Sequence, residues 1–221
     1  MSDAARHRWA IEQREIDRHL ARRGRSHGFE TIDTRSTAMI VVDLTPFFVD
    51  SLPTALGVCP VVDELAAAMR RAGGLVAWTV PAFVDPSPAR REFLGDEIAE
   101  RYGAADASGP LRDRLWPGFT LDERDIVVEK LRPSAFFPGS CDLHEQLTAR
   151  GIDTVVVCGT VANVCVEATV RDASALDYRP ILVADATAAV TDDMLNATLR
   201  TVYRSFGDVR SATEVTTLLE T

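Results

Sequence analysis

Short runs of mainly apolar residues recur along this chain and alternate with longer segments of helical pattern. Strands that are apolar on both faces have to be covered on both sides, and alternation with helices is typical of parallel strands joined by helical crossovers. We therefore predict an α/β protein, a three-layer α/β/α sandwich with a mostly parallel, doubly wound sheet. The predicted strands span 37–43, 75–80, 125–130, 153–158, 180–184 and, at the edge, 208–210; the predicted helices span 60–72, 140–150, 163–177 and 192–205.

The length of the chain allows one complete core. Its 221 residues, 46% of them hydrophobic, can form a single domain, which we place at residues 36–221. Residues 1–35 precede the first strand as an N-terminal arm. Within the arm, residues 8–22 place Trp9, Ile16 and Leu20 on one face of a predicted amphipathic helix. We expect this face to pack against the chain's own domain or against a second subunit.

Charge and hydropathy argue against several classes of partner. The net charge of −9 argues against nucleic acid or an anionic membrane surface. No apolar run approaches the roughly 20 residues that cross a bilayer. The N-terminus is polar and lacks the apolar core of a secretory signal, and the four cysteines form no C-x-x-C pair. We therefore predict a cytoplasmic protein with reduced thiols.

Three of the predicted strands lead into residues that can do chemistry: Asp43, Lys130 and Cys165. Lys130 is the only lysine, against 23 arginines, and its compact ammonium is not interchangeable with a guanidinium at a site that needs a point charge. The carboxyl ends of neighbouring parallel strands meet at one edge of the sheet, so we expect these side chains to lie together. The ordinary alternatives stay open. Lys130 could be a lysine retained by chance, Cys165 could be buried as a small apolar side chain, and Asp43 could cap a helix or lie in a turn.

Cys165 falls in the first turn of the predicted helix 163–177. Unpaired backbone N–H groups and the positive end of the helix dipole favour a thiolate there, and a nearby ammonium adds to the effect. Of the four histidines, three lie in the arm and His144 lies inside a helix, so none ends a strand. Asp43 is therefore the candidate proton acceptor.

The motifs Asp43-x-x-x-Phe47, Lys130-x-x-x-Ser134-Ala-Phe136 and Gly159-Thr-Val-Ala-Asn-Val-Cys165-Val-Glu-Ala-Thr-Val-Arg-Asp172-Ala strongly resemble those of the isochorismatase-like cysteine hydrolase family. That family includes nicotinamidases, N-carbamoylsarcosine amidases and ureidoacrylate amidohydrolases, and the resemblance covers about residues 36–205. It implies that Cys165 is the nucleophile, that Asp43 accepts its proton, and that Lys130 stabilises the thiolate.

The resemblance has further implications for the site. It implies a non-proline cis peptide between Thr160 and Val161, and an oxyanion hole formed by the backbone N–H groups of Val161 and Cys165. It also implies a homodimer or homotetramer and no cofactor. Relatives that hold a metal do so through histidines on the segment after the second strand. Here residues 80–88 contain no histidine, so we predict no metal.

Residues 81–122 are rich in proline, glycine and aspartate, with a short helix at best near 89–102. A segment of that length is usually a lid or a binding loop, and we expect it to select the small-molecule substrate. Phe48, Trp78 and Phe136 lie beside strand ends and are candidates for lining an apolar substrate pocket, although aromatic residues at such positions also occur in cores. Thr45 stands where many relatives carry Gln or Asn, which leaves one pocket hydrogen bond unassigned.

The favoured hypothesis is a hydrolase that cleaves a C–N bond in a small amide or N-carbamoyl compound through a thioester on Cys165. One alternative is an isochorismatase-type hydrolase of a chorismate-like vinyl ether. Isochorismatases proper lack the nucleophilic cysteine, so Cys165 disfavours this alternative. Another alternative is a non-catalytic family member that acts as a binding subunit through the arm.

Overall fold

A computed structural model describes residues 4–104 and 108–220 and gives an α/β/α sandwich. Its six strands are β1 (Thr37–Val42), β2 (Leu75–Pro81), β3 (Ile126–Lys130), β4 (Thr154–Thr160), β5 (Arg179–Ala188) and β6 (Asp208–Arg210). Its helices are α1 (Gln13–Arg23), α2 (Pro46–Ser51), α3 (Pro53–Arg71), α4 (Pro88–Leu94), α5 (Asp96–Ala104), α6 (Leu143–Thr148), α7 (Glu167–Ala175), α8 (Asp192–Ser205) and α9 (Ala212–Leu219).

The strands form one sheet in the order β3-β2-β1-β4-β5-β6, and every neighbouring pair is parallel. The chain winds outwards from β1 in both directions, so the sheet is doubly wound as predicted. In such a sheet the point where the strand order reverses opens a crevice at the carboxyl ends of the strands. Here that point lies between β1 and β4, whose last paired residues are Val42 and Gly159.

Alternating residues of the central strand face two separate cores. Ala38, Ile40 and Val42 face the core formed with α6, α7 and α8, whereas Met39 and Val41 face the core formed with α3 and α9. All five side chains are completely buried. A strand that is covered on both faces has a continuously apolar sequence. This is why β1 could be predicted from the sequence.

The structure corrects several predicted boundaries. Helix α3 begins at Pro53 rather than at 60 and contains Pro60, and β5 continues to Ala188 rather than ending at 184. The helix predicted over 163–177 is divided: a π-helical turn spans Ala162–Val166, and α7 follows it. Residues 81–122 hold two short helices, α4 and α5, and a 3₁₀ turn at Leu111–Arg114, more structure than predicted.

The N-terminal arm packs against its own domain. Trp9, Ile11 and Ile16 lie against the core that contains α8. The prediction for Leu20 is wrong, because that side chain is 44% exposed while Glu15 and His19 are buried instead. Polar partners explain the exchange: Glu15 pairs with Arg204 at 2.8 Å, and the His19 ring bonds the carbonyl of Tyr203 at 2.8 Å. No helix among the described residues has the length and apolar character to cross a membrane.

The backbone of β1 passes close to Gly159, near the carboxyl end of β4. The glycine's φ of 113° is unfavourable for residues with a side chain, and a Cβ there would lie 2.2 Å from the carbonyl oxygen of Val42. The β4–β5 register also shifts between Val157 and Gly159. A glycine is therefore required at the point where β4 leaves the sheet towards the π-helical turn.

We expect Gly159→Ala to lower the free energy of unfolding by more than the roughly 1–2 kcal/mol that a positive φ alone costs, because the methyl group also clashes with the backbone of β1. Gly151→Ala is the matched control, since Gly151 has a φ of 70° and open space where its Cβ would be. Urea denaturation of both variants measures the difference. Equal destabilisation by the two substitutions would contradict the close-approach argument.

Candidate active site

The carboxyl edge of the sheet brings Asp43, Lys130 and Cys165 together. Asp43 follows β1 directly and adopts a φ of 53°, a left-handed conformation that aspartate tolerates better than most residues. Its N–H donates to the carbonyl of Thr79 at 3.1 Å, which anchors it to β2. Lys130 is the last residue of β3, and Cys165 lies in the π-helical turn that follows β4. The carboxyl ends of three separate strands therefore position the three side chains.

Asp43 and Lys130 form a buried ion pair. The distance from Lys130 Nζ to Asp43 Oδ2 is 2.7 Å, and both side chains are almost completely buried. The Thr79 hydroxyl donates to Asp43 Oδ1 at 3.1 Å, and Lys130 Nζ also donates to the carbonyl of Arg132 at 3.2 Å. Buried charges need such partners, since an unpaired buried ion is strongly unfavourable.

Cys165 completes the cluster, because its half-buried thiol lies close enough to Asp43 and Lys130 for both charges to shift its pKa. Loss of solvent and the adjacent Asp43 charge raise the pKa of the Cys165 thiol to about 12, and Lys130 opposes them only in part. The expectation of a resting thiolate is therefore corrected. With its pKa raised in this way, Cys165 is a neutral thiol near the Asp43 carboxylate.

Lys130 stays protonated in this setting. Burial alone would lower the pKa of its ammonium group, but the neighbouring Asp43 carboxylate and the ionisable Cys165 group outweigh burial and raise it. The Lys130 ammonium is therefore a fixed positive charge beside the sulfur. A fixed cation beside a sulfur favours the thiolate form over the thiol.

The backbone between β4 and Cys165 has an unusual geometry. The peptide bond between Thr160 and Val161 is cis. The carbonyl of Val161 accepts from the N–H groups of Val164 at 3.0 Å and Val166 at 3.3 Å, which closes the π-helical turn around Cys165. Val161 and Cys165, the two residues expected to supply the oxyanion hole, thus bracket one short turn.

The three aromatic candidates occupy different environments. Trp78 does not line a pocket: it is fully buried in the core with α3, and its indole N–H donates to Asp125 at 2.9 Å. Phe136 is 4% exposed, with its ring 5.2 Å from that of Tyr178. Phe48 is half-buried at the start of α2 and is the best placed of the three to contact a ligand.

Part of the segment 81–122 contacts α2 directly. The ring of Phe47 lies 4.9 Å from that of Phe48 and 6.0 Å from that of Tyr102, and the Arg101 guanidinium lies 5.4 Å from the Phe47 ring centroid. The N–H of Trp116 donates to the carbonyl of Leu44 at 3.0 Å, one residue beyond Asp43. The segment therefore packs beside the strand end that carries Asp43.

The described residues include no group of three or more His, Cys, Asp or Glu side chains arranged to hold a metal ion. The charged side chains at the carboxyl edge are already satisfied by one another. The arrangement is suited to proton transfer and nucleophilic attack by sulfur.

Sequence reasoning missed Thr79 and Thr169. Thr79 is fully buried inside an apolar strand, where a threonine is normally read as a β-branched core residue. The sequence around Thr169 is that of an ordinary helix. Only the structure shows that the N–H of Ala135, in the loop after Lys130, donates to the Thr169 hydroxyl. Both are recognisable only once their hydrogen-bond partners, which are distant in sequence, are known.

Known proteins resemble this chain in sequence and in fold. The Isochorismatase domain model matches residues 37–214. An uncharacterized isochorismatase family protein, YwoC of Bacillus subtilis, is 32% identical over 83% of this chain and 94% of its own length. The ureidoacrylate amidohydrolase RutB of Methylobacterium radiotolerans is 32% identical over 80% of this chain and 76% of its own. A cysteine hydrolase from Pseudomonas syringae superimposes with a TM-score of 0.74 and 27% identity, covering 86% of this chain and 94% of that one.

Fold and sequence together place the chain among the isochorismatase-like hydrolases. The chain belongs to the isochorismatase family.

We expect Lys130→Met and Asp43→Asn each to lower the free energy of unfolding by about 3–5 kcal/mol, because each leaves one buried charge without its partner. The double variant, which removes both charges, is expected to be more stable than either single variant. Urea denaturation of the four proteins measures the coupling. Strictly additive losses would contradict a direct buried ion pair.

We also expect Asp43→Asn to lower the pKa of the Cys165 thiol, because it removes an adjacent negative charge and leaves the Lys130 ammonium in place. The rate of Cys165 alkylation by iodoacetamide should then rise at a lower pH than in the wild type, as followed by mass spectrometry of the peptide that contains Cys165. Asp50→Asn, on an exposed position of α2, is the matched control. A profile unchanged by Asp43→Asn would show that Asp43 does not act on the thiol.

Proposed function

We propose that this protein is a cysteine-dependent amidohydrolase that cleaves a C–N bond in a small amide or N-carbamoyl compound through a thioester intermediate. The observation that carries the proposal is the buried ion pair of Asp43 and Lys130, whose two charges both act on the Cys165 thiol. A nucleophile, a proton acceptor and a fixed cation in contact are the parts that acyl transfer by a thiol requires.

In the first half of the proposed reaction, Asp43 takes the proton of the Cys165 thiol while the sulfur attacks the substrate carbonyl carbon. Lys130 stabilises the negative charge that develops on sulfur. The carbonyl oxygen becomes an oxyanion, which accepts hydrogen bonds from the backbone N–H groups of Val161 and Cys165. Asp43 then gives its proton to the leaving nitrogen, the C–N bond breaks, and a thioester remains on Cys165.

In the second half, a water molecule enters where the amine has left. Asp43 takes a proton from the water molecule while the oxygen of that water attacks the thioester carbonyl. The same two N–H groups hold the second oxyanion, and its collapse expels the Cys165 sulfur, which takes back the proton from Asp43. The acid leaves, and the site returns to its starting protonation state.

The proposed substrate class is supported by two considerations. RutB, a relative that matches 80% of this chain, is named for the hydrolysis of ureidoacrylate, an N-carbamoyl compound. Cys165 itself favours acyl transfer over cleavage of a vinyl ether, because ether hydrolysis gives a thiol nucleophile no carbonyl carbon to attack. The half-buried Phe48 and the adjacent segment 81–122 are the elements we propose to select among small amides.

The proposal is tested by incubating the protein with a panel of primary amides and N-carbamoyl compounds while ammonia release is followed. Cys165→Ser is expected to lower turnover by at least about a thousandfold while leaving the fold intact, because an alcohol is a far weaker nucleophile beside the same base. Cys59→Ala, which removes a buried thiol on α3, is the control and should retain activity.

Intact-mass measurement during turnover should show an acyl adduct on the wild type that is absent from Cys165→Ser. Release of pyruvate from isochorismate, with no ammonia from any amide, would overturn the proposal in favour of ether hydrolysis. Full amide turnover by Cys165→Ser would overturn the proposed role of the thiol.

A further inference from the structure

Thr169 makes two hydrogen bonds that join separate parts of the site. Its side chain is fully buried on α7, four residues after the nucleophile. The hydroxyl donates to the backbone carbonyl of Cys165 at 2.7 Å and accepts from the N–H of Ala135 at 3.2 Å. Ala135 belongs to the segment 131–140, which we call the lysine loop because it follows Lys130 directly.

The lysine loop is internally closed. The N–H of Leu131 donates to the carbonyl of Ser140 at 2.9 Å, and the N–H of Arg132 donates to the Ser140 hydroxyl at 3.3 Å. The Cys141 thiol, just beyond the loop, donates to the carbonyl of Ala135 at 3.2 Å. Fixing Ala135 therefore constrains a loop whose two ends are already tied together.

The lysine loop also supplies a partner to the ammonium group. Lys130 Nζ donates to the carbonyl of Arg132 in addition to its ion pair with Asp43. An ammonium has three N–H donors, and the Arg132 carbonyl and Asp43 take up two of them. The position of the Arg132 carbonyl thus helps to set the direction in which Lys130 presents its charge to the sulfur.

We propose that Thr169 is a positioning residue that couples the lysine loop to the turn carrying Cys165. Through this coupling it holds the Lys130 ammonium group in place beside the Cys165 sulfur. This inference deepens the proposed function, on which its catalytic part rests. A threonine in a helix often donates to the carbonyl four residues earlier with no wider consequence. The bond from Ala135, 34 residues earlier in the chain, is what extends the contact to the Lys130 side of the site.

The test replaces the hydroxyl without changing the shape of the side chain. Thr169→Val keeps the branched volume but can neither donate to Cys165 nor accept from Ala135, which is itself buried. Thr169→Ser keeps the hydroxyl and should restore wild-type behaviour. Thr154→Val is the matched control: Thr154 is equally buried, and its hydroxyl donates to Asp153 and accepts from Arg179 at the opposite edge of the sheet.

Two readouts separate positioning from a structural role. We expect Thr169→Val to lower kcat about tenfold or more with little change in KM, because a displaced ammonium weakens the chemical step rather than binding. We also expect the rate of Cys165 alkylation by iodoacetamide at pH 9 to fall about tenfold, since a one-unit rise in thiol pKa reduces the thiolate fraction by that factor. Thr154→Val should change neither quantity.

The inference is overturned if Thr169→Val reduces only the free energy of unfolding and leaves both rates at the wild-type level, or if Thr154→Val lowers them equally. Should Thr169→Val fail to fold, Thr169→Ala carries the same expectations. The alkylation rate needs no substrate. If the wild type hydrolyses no amide, the proposed function fails while the alkylation comparison still decides the role of Thr169.

Discussion

The buried ion pair between Asp43 and Lys130 is the interaction on which the rest of the site depends. The two residues come from β1 and β3, which are not neighbours, because β2 lies between them and contributes the Thr79 hydroxyl to Asp43. Removing two charges from water is costly, and the Coulomb attraction offsets that cost only when the geometry is close and the remaining hydrogen bonds are made. Here those hydrogen bonds are made, and both charges act on the thiol of Cys165.

The overall fold was largely predictable from the sequence because its strands are covered on both sides. Five apolar runs gave strand positions to within a few residues, and helical pattern between them gave the parallel connections. The failures have local causes. Pro60 concealed the first half of α3, the π-helical turn divided a continuous helical pattern, and Leu20 lost its place in the core to Glu15 and His19, whose polar partners lie far along the chain.

The candidate site was predictable only where the residue type itself carries chemical meaning. Asp43, Lys130 and Cys165 stood out as a carboxylate, the single lysine and a thiol at strand ends. The protonation state of Cys165 was not predictable, because it depends on burial and on how closely Asp43 approaches the sulfur. Trp78 was misjudged since aromatic residues near strand ends look alike until their neighbours are known, and its indole bonds Asp125 in the core.

The single lysine allows the central claim to be measured directly. Labelling the protein with ¹⁵N-lysine gives one side-chain NMR signal, that of Lys130, whose titration reports the environment of its ammonium group. The account predicts a pKa above the ordinary lysine value, and a change in the signal when Cys165 is alkylated. A Lys130 that titrates at or below its ordinary value, with a signal indifferent to alkylation of Cys165, would contradict the account.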